Sequence, residues 1–336
     1  MDKDKLSNIA KKLVAPYKGI LAADESNPTI EKRFDSIDIE STENNRRDYR
    51  ELLFSTNGIE DYISGIILYE ETLYQKSSKG QLLSELLQSK DVIPGIKVDK
   101  SAKDFIGFPG EKITEGLDGL YDRMKNFHDD GARFSKWRAV ITIGDQIPST
   151  QCIELNAVLL ARYAITSQEA GLVPIVEPEV LMDGDHSINS CYEVTNKTLN
   201  EVFNQLDKHK VNLPGILLKP NMILSGKESL NRADKNKVAE MTLKCFKDII
   251  PENVPGIIFL SGGQSEIESI DNLDAINKLA KQTGDMPWEL SFSYGRGLQS
   301  STLNKWKGNS DNFLIAQKEF INRCKMVSEA RNGELS

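Results

Sequence analysis

The segment Gly215-Ile-Leu-Leu-Lys-Pro-Asn221 joins an aliphatic run to a lysine. The run is typical of a buried strand, so Lys219 would lose hydration at its end. Desolvation penalises the charged form of an amine and lowers its pKa. A partly neutral amine attacks carbonyl carbons, which is the first step of Schiff-base chemistry. Taken alone, Lys219 also fits an ordinary lysine whose head group extends into solvent. The charged residues elsewhere in the sequence distinguish the two interpretations.

Further polar residues lie inside or at the carboxyl ends of apolar runs: Asp24, Lys97, Lys136, Arg138, Glu177, Glu179 and Ser261. Alternate side chains of a strand share a face, which pairs Lys136 with Arg138 and Glu177 with Glu179. On an outward face these charges would be buried without water, at a high cost in free energy. The pattern therefore favours a polar cavity, although a single pair would also fit a structural ion pair.

Two glycine-containing loops have the composition of phosphate sites. Ser261-Gly-Gly-Gln-Ser265 follows the seventh apolar run, and Ser293-Tyr-Gly-Arg-Gly297 follows the eighth. Glycine lets backbone N–H groups approach an anion, and arginine adds a planar charged fork. Either loop alone could be an ordinary turn. Their positions after the last two strands favour phosphate binding, because barrel enzymes commonly bind phosphate there.

The chain repeats one unit, an apolar strand followed by a helix, and these strands carry the polar residues named above. Eight β-rich runs begin roughly 31 to 44 residues apart, the length of a strand with its return helix. The runs are Gly19–Asp24, Ile63–Tyr69, Pro94–Asp99, Phe134–Ile143, Leu172–Pro178, Gly215–Lys219, Gly256–Ser261 and Glu289–Tyr294. The segments between them have helical spacing, as in 156–168. They predict one α/β domain over 1–336, a (β/α)₈ TIM barrel with an N-terminal helix in 1–18 and a C-terminal helix and short tail in 305–336. An open doubly wound sheet is the alternative, but no G-x-G-x-x-G follows the first run.

Composition excludes several classes of function. A net charge of -8 argues against a general affinity for nucleic acid or anionic membrane. The four cysteines are widely separated and the three histidines form no metal-binding motif, so we expect reduced thiols and no metal or other cofactor. The charged start and the lack of a long apolar stretch predict a soluble cytoplasmic protein.

Together these motifs resemble the class I fructose-bisphosphate aldolase family. The resemblance rests on Leu21-Ala-Ala-Asp-Glu-Ser26, Gly95-Ile-Lys-Val-Asp-Lys100, Lys136-Trp-Arg138, Pro174-Ile-Val-Glu-Pro-Glu179, Leu217-Leu-Lys-Pro-Asn-Met222, Leu260-Ser-Gly-Gly-Gln-Ser-Glu266 and Phe292-Ser-Tyr-Gly-Arg296. The motifs cover the chain from about residue 13 to about residue 304. The resemblance implies a metal-independent lyase that is usually a homotetramer and that cleaves fructose 1,6-bisphosphate into two triose phosphates.

The resemblance also implies roles for individual residues. Lys219 matches the Schiff-base lysine, and Glu177 matches the acid/base. The other members of the catalytic group are Asp24, Lys136 and Glu179. The substrate- and phosphate-binding group is Arg33, Lys97, Arg138, Ser261, Gly262, Gly263, Ser293 and Arg296.

Two departures from the family pattern affect specificity. Asn27-Pro-Thr29 stands where many members have Thr-Gly-Ser, which concerns the second phosphate. The chain ends at Ser336 without the tyrosine-terminated tail of animal members, so their substrate preference does not transfer. A lyase for another phosphorylated ketose is one alternative function. A scaffold that binds polyanions or cytoskeletal proteins through the same basic mouth is another.

Overall fold

The computed structural model describes residues 1–284 and 286–335, and parallel strands form its centre. In chain order the strands are β1 (Gly19–Ala23), β2 (Ile63–Leu68), β3 (Ile93–Lys97), β4 (Ala102–Asp104), β5 (Lys112–Thr114), β6 (Phe134–Ile141), β7 (Val173–Val180), β8 (Leu217–Leu218), β9 (Gly256–Phe259) and β10 (Glu289–Tyr294). Eight of them close into a barrel in the order β1-β10-β9-β8-β7-β6-β3-β2. The predicted (β/α)₈ barrel is confirmed.

Strand β8 is much shorter than the predicted run. Leu213–Gly215 forms a 3₁₀ turn, and only Leu217 and Leu218 are paired as a strand. Pro220 then interrupts the ladder because proline lacks an N–H donor. The Lys219 N–H still donates to the Val176 carbonyl over 2.8 Å, so its backbone stays fixed against β7.

Helices cover the outside of the barrel. They are α1 (Lys3–Leu13), α2 (Asn27–Asp35), α3 (Glu43–Ser55), α4 (Glu70–Tyr74), α5 (Leu83–Gln88), α6 (Leu120–Asp129), α7 (Thr150–Glu169), α8 (Ile188–Lys208), α9 (Lys235–Ile249), α10 (Glu266–Thr283), α11 (Arg296–Trp306) and α12 (Phe313–Arg331). Within the predicted C-terminal segment, α12 is followed by a tail whose Leu335 N–H donates to Asp274 on α10. No helix in the described ranges is long and apolar enough to cross a membrane.

Two apolar layers hold the strands in place. Inward residues such as Ile20, Phe134 and Ile258 pack with Leu6 and Leu13 of α1, which covers the amino-terminal end of the barrel. Outward residues pack against the helices; for example, Trp137 of β6 stacks on Tyr163 of α7 at 5.6 Å. The amino-terminal end is therefore filled with apolar side chains, which leaves the carboxyl end for polar ones.

One element is not predicted by the hydrophobic pattern of the sequence. Strands β4 and β5 pair as an antiparallel hairpin outside the barrel, after β3. The Thr114 hydroxyl fixes this hairpin to β6 by donating to the Arg138 carbonyl over 2.7 Å. The hairpin thereby adds Ala102 and Lys112 to the wall of the barrel mouth.

Candidate active site

The carboxyl ends of the strands surround a cavity of about 760 Å³. Twelve of the thirteen predicted site residues line it: Asp24, Arg33, Lys97, Lys136, Arg138, Glu177, Glu179, Lys219, Ser261, Gly262, Ser293 and Arg296. Gly263 lies behind the lining, where an added Cβ would be 3.3 Å from the Met182 sulfur. The inward direction predicted for the charged pairs of β6 and β7 agrees with this lining.

Lys219 and Lys136 share one buried carboxylate at the bottom of the cavity. Lys219 Nζ lies 3.3 Å from Glu177 Oε1, and Lys136 Nζ lies 3.3 Å from Glu177 Oε2. All three side chains are at most 5% exposed. Glu177 Oε2 has no hydrogen bond within the described chain. One carboxylate can therefore exchange protons with the amine of Lys219 or with a group held beside it.

Asp24 completes this charged group from β1. Its carboxylate accepts a hydrogen bond from Lys136 Nζ over 3.0 Å. Burial would raise the pKa of Asp24, but the charges of Lys136 and Lys219 outweigh it and hold that pKa well below its ordinary range. Burial acts against the charged form of Lys136 as well, but Asp24 and Glu177 raise its pKa. Both groups are therefore ionised at neutral pH.

Asp99 belongs to the same group, although it is not among the predicted site residues. It is 8% exposed, pairs with Lys97 and lies 4.0 Å from Lys136 Nζ. A signal was present, because residues 97 and 99 share a face at the end of the third predicted run. Asp99 holds Lys97 at the side of the cavity nearest the β4–β5 hairpin.

Arg138 and Glu179 form a pair one step higher in the cavity. Arg138 Nε donates to Glu179, and partial desolvation of the guanidinium, whose side chain is 43% exposed, is outweighed by Glu179 and Glu177, which raise the pKa of Arg138. Strands β6 and β7 place Arg138 opposite Glu177 and Val140 opposite Glu179. The pair therefore links the two strands directly above the lysines.

The loops after β9 and β10 meet at one wall. Gly262 has a φ of +53°, a conformation that favours glycine, and its carbonyl accepts a hydrogen bond from Arg296. The buried Ser293 hydroxyl finds no hydrogen-bond partner among the described residues, so it is free to bind a ligand oxygen. From α12, Arg323 donates to the Gly297 carbonyl over 2.9 Å and thus braces the first turn of α11.

The wall beside the β10 loop includes side chains of α2 and of the loops that follow β1 and β3. Arg33 of α2 donates to Glu25, which is not among the predicted site residues. The other polar lining residues outside the predicted set are Ser26, Thr29, Lys32, Ser101, Lys112 and Asp183. No group of three or more His, Cys, Asp or Glu side chains in residues 1–284 and 286–335 is arranged to hold a metal ion.

Comparisons with known proteins identify the family of this chain. Residues 5–336 match the family model described as fructose-bisphosphate aldolase class-I. Fructose-bisphosphate aldolase 4, cytosolic, from Arabidopsis thaliana is 52% identical over 95% of this chain and 80% of its own length. The fructose-bisphosphate aldolase of Dictyostelium discoideum is 49% identical over 98% and 92%.

A solved structure of the Plasmodium falciparum aldolase, in complex with TRAP and a small molecule inhibitor, superposes with a TM-score of 0.97. It is 46% identical and covers 99% of this chain and 96% of its own. The motifs, the barrel and these matches agree over nearly the whole length. The chain belongs to the class I fructose-bisphosphate aldolase family.

Proposed function

We propose that this chain cleaves fructose 1,6-bisphosphate through a Schiff base on Lys219. The reaction is that of its family, the reversible aldol cleavage to dihydroxyacetone phosphate and glyceraldehyde 3-phosphate in glycolysis and gluconeogenesis. The observation that carries the residue assignment is the position of Lys219 Nζ, 3.3 Å from the buried Glu177 carboxylate and in the cavity that the two phosphate loops also line. No metal or other cofactor enters this proposal.

The proposed first step is addition of the Lys219 amine to the ketose carbonyl at C2. Glu177 gives a proton to the departing hydroxyl, and loss of water leaves a protonated iminium. The iminium accepts the electron pair of the C3–C4 bond when that bond breaks. The C4 hydroxyl gives its proton to Glu177, which releases the aldehyde and leaves an enamine. Protonation at C3 and hydrolysis then free the ketose phosphate and restore the amine.

The neighbouring charges support this sequence. Lys136, held by Asp24 and Glu177, places a fixed positive charge beside the oxygens that change charge during cleavage. Glu179, paired with Arg138, adds a carboxylate next to Glu177 on the same face of β7. Because Lys136 and Glu177 are buried and already paired, their charges need little reorganisation during the reaction.

We assign the two phosphates to neighbouring walls. The ketose phosphate would bind Ser261, Gly262, Ser293 and Arg296, with Gly263 supporting the loop from behind. The second phosphate would bind near Arg33 and Lys97. The Ser293 hydroxyl and the glycine backbone favour a phosphate at the first wall, since both offer donors without a large side chain in the way.

We propose a homotetramer, supported by the family resemblance and by large apolar side chains left exposed in the chain, Ile106 (88%) and Leu230 (99%). Light scattering after gel filtration should give about four times 37.6 kDa. We also propose a cytoplasmic location without nucleic-acid or membrane partners, supported by the cytosolic plant relatives and the net charge of -8.

Trapping the Schiff base tests the central assignment. Borohydride with dihydroxyacetone phosphate should add one adduct per chain at Lys219 and abolish turnover, as located by peptide mass spectrometry. The Lys219→Arg variant should form no adduct and show no turnover, because a guanidinium does not form the imine. Lys227→Arg in the following loop should leave both the adduct and turnover unchanged. An adduct at Lys97 or Lys136 would overturn the assignment.

The same samples separate the alternatives. A lyase for another ketose phosphate would be trapped by that ketose and would not turn over fructose 1,6-bisphosphate. A scaffold without activity would form no adduct. Turnover should survive exhaustive EDTA treatment; a loss that zinc restores would show a metal-dependent mechanism instead.

A further inference from the structure

Three helices converge on Glu25, a carboxylate that follows Asp24 at the end of β1. Arg33 of α2 and Arg50 of α3 both donate to it, one to each oxygen. Gln299 of α11 donates to the same carboxylate over 3.1 Å and to the Ala22 carbonyl over 2.8 Å. Glu25 is 7% exposed, so its negative charge is neutralised almost entirely by these partners.

The two arginines differ in what they face. Arg33 lines the cavity, with a side chain that is 21% exposed, and its Nη2 would be 3.6 Å from a Cβ added at Gly295. Arg50 does not line the cavity and its side chain is 3% exposed. Its Nη1 is buried and has no hydrogen-bond partner in the described chain. Arg50 therefore acts on a ligand only through Glu25 and Arg33.

The charges around Glu25 do not balance. One carboxylate faces two guanidiniums, so the group carries one net positive charge, and the only member of it that is both cationic and open to the cavity is Arg33. If Arg50 were absent, Arg33 would be the sole cation on a buried carboxylate. Strong pairing of that kind holds the guanidinium in place and cancels its field.

We propose that Arg50 is a positioning residue for the second phosphate of the substrate. It neutralises Glu25 from behind, which leaves Arg33 with its charge and part of its fork available to the cavity. This inference rests on the proposed function, specifically on the assignment of Arg33 to the wall that binds the second phosphate.

The position of Arg50 within α3 is fixed independently of any ligand. Tyr49, the preceding residue, is buried and packs on Phe34 and Trp306 with ring centroids 5.8 and 5.2 Å apart. Its hydroxyl donates to Gln299 Oε1 over 3.1 Å, which turns the amide N–H of Gln299 toward Glu25. The arrangement on Glu25 is thus set by the apolar core.

A comparison of two substrates tests the proposal. Arg50→Met keeps the packed stem and removes the charge. It should raise KM for fructose 1,6-bisphosphate about tenfold, equivalent to ~1.4 kcal/mol, and leave kcat within about twofold. KM for fructose 1-phosphate, which lacks the second phosphate, should change less than twofold. Arg50→Lys, which keeps the charge, should recover most of the bisphosphate affinity.

A double variant keeps the proposal testable if Arg50→Met fails to fold. The double variant Glu25→Gln with Arg50→Met removes both buried charges, so no carboxylate at position 25 neutralises the Arg33 guanidinium. The ratio of the two KM values should then return to within about threefold of the parent ratio. A ratio that stays raised would overturn the proposal, as would an equal rise of both KM values in the single variant.

Trapping separates this result from failure of the proposed function. Borohydride with dihydroxyacetone phosphate should label Lys219 equally in the parent and in the Arg50 variants, because that ligand uses the other wall. If the parent itself is not labelled, the proposed function is wrong. If labelling is normal but the KM ratio does not move, only the role of Arg50 is wrong.

Discussion

The floor and the rim of the cavity use charge differently. The floor, formed by Asp24, Lys97, Asp99, Lys136, Glu177 and Lys219, contains three carboxylates and three amines in contact with one another. The rim, formed by Glu25, Arg33, Arg138, Glu179 and Arg296, has three guanidiniums against two carboxylates. Arg50 adds a further positive charge behind the rim.

This difference separates chemistry from binding. A balanced, buried floor can move a proton between neighbours without creating an isolated charge, which would be costly in free energy. A rim with excess positive charge attracts a bisphosphate and releases it again, because its guanidiniums are partly solvated. Burial and the nearby charge of Arg33 lower the pKa of Arg296, as expected where cations gather. Variants at Asp24, Lys136 or Glu177 of the floor should therefore change kcat, and variants at the rim arginines should change KM.

The largest effect should come from the floor. Glu177→Gln removes the only carboxylate in contact with Lys219 Nζ among the described residues, so kcat should fall by two or more orders of magnitude. Steady-state cleavage assays measure this, with the exposed Glu240→Gln of α9 as the matched control. A fall confined to KM would show that Glu177 acts in binding, contrary to the division between floor and rim.

A rim variant should have the opposite signature. Arg296→Ala should raise KM and leave kcat nearly unchanged. The loss of binding free energy should be about 1.5–3 kcal/mol, since one charge-assisted hydrogen bond to phosphate is lost. Arg232→Ala, which breaks an exposed pair with Glu268, is the control. If neither KM nor kcat changes, Arg296 does not belong to the site.

The floor also contributes to stability in a pH-dependent way. The folded-state pKa of Asp24 lies below its ordinary value of 3.8, so its stabilisation is complete above that pH and is lost as the pH falls toward the folded-state pKa. Asp24→Asn should lower the unfolding free energy at pH 7 by about 1–3 kcal/mol. Urea titrations from pH 7 to pH 3 should show the difference narrowing below about pH 4. A difference independent of pH would indicate a packing effect.

The smallest expected effect is that of salt, which should change KM through the rim more than kcat through the floor. Raising the ionic strength from ~0.05 to ~0.5 M shortens the screening length and should raise KM for the bisphosphate a few-fold. The buried floor is screened less, so kcat should stay within about 1.5-fold. Initial rates at several salt concentrations measure both constants. A parallel fall in kcat would show that solvent ions reach the floor.

Much of the floor could be predicted because period-two alternation is a local property. Lys136, Trp137 and Arg138 alternate between the cavity and the helix layer as the sequence indicates. The same rule would have found Asp99 from Lys97. The ends of the strands could not be predicted as well. The predicted run Gly215–Lys219 contains a strand of only two residues, because the proline after Lys219 ends β8.

The support behind the rim could not be predicted in the same way. Arg50 lies 25 residues from Glu25, and Gln299 lies 274 residues from it, so no local pattern connects them. The β4–β5 hairpin was missed because each strand has three residues and β4 is mostly charged, without an apolar period. Only the closed barrel brings these elements to one end.

The closing seam of the barrel has a consequence for folding kinetics. Strands β1 and β10 meet there, and the Ser291 hydroxyl donates to the Lys18 carbonyl, 273 residues earlier in the chain. Contacts between such distant segments lose the most chain entropy and form slowly. Asp24 and Ser293 lie on the two sides of this seam, so they come together only when it closes. We expect catalytic activity to return after most secondary structure during refolding, with a lag that helix signals do not show.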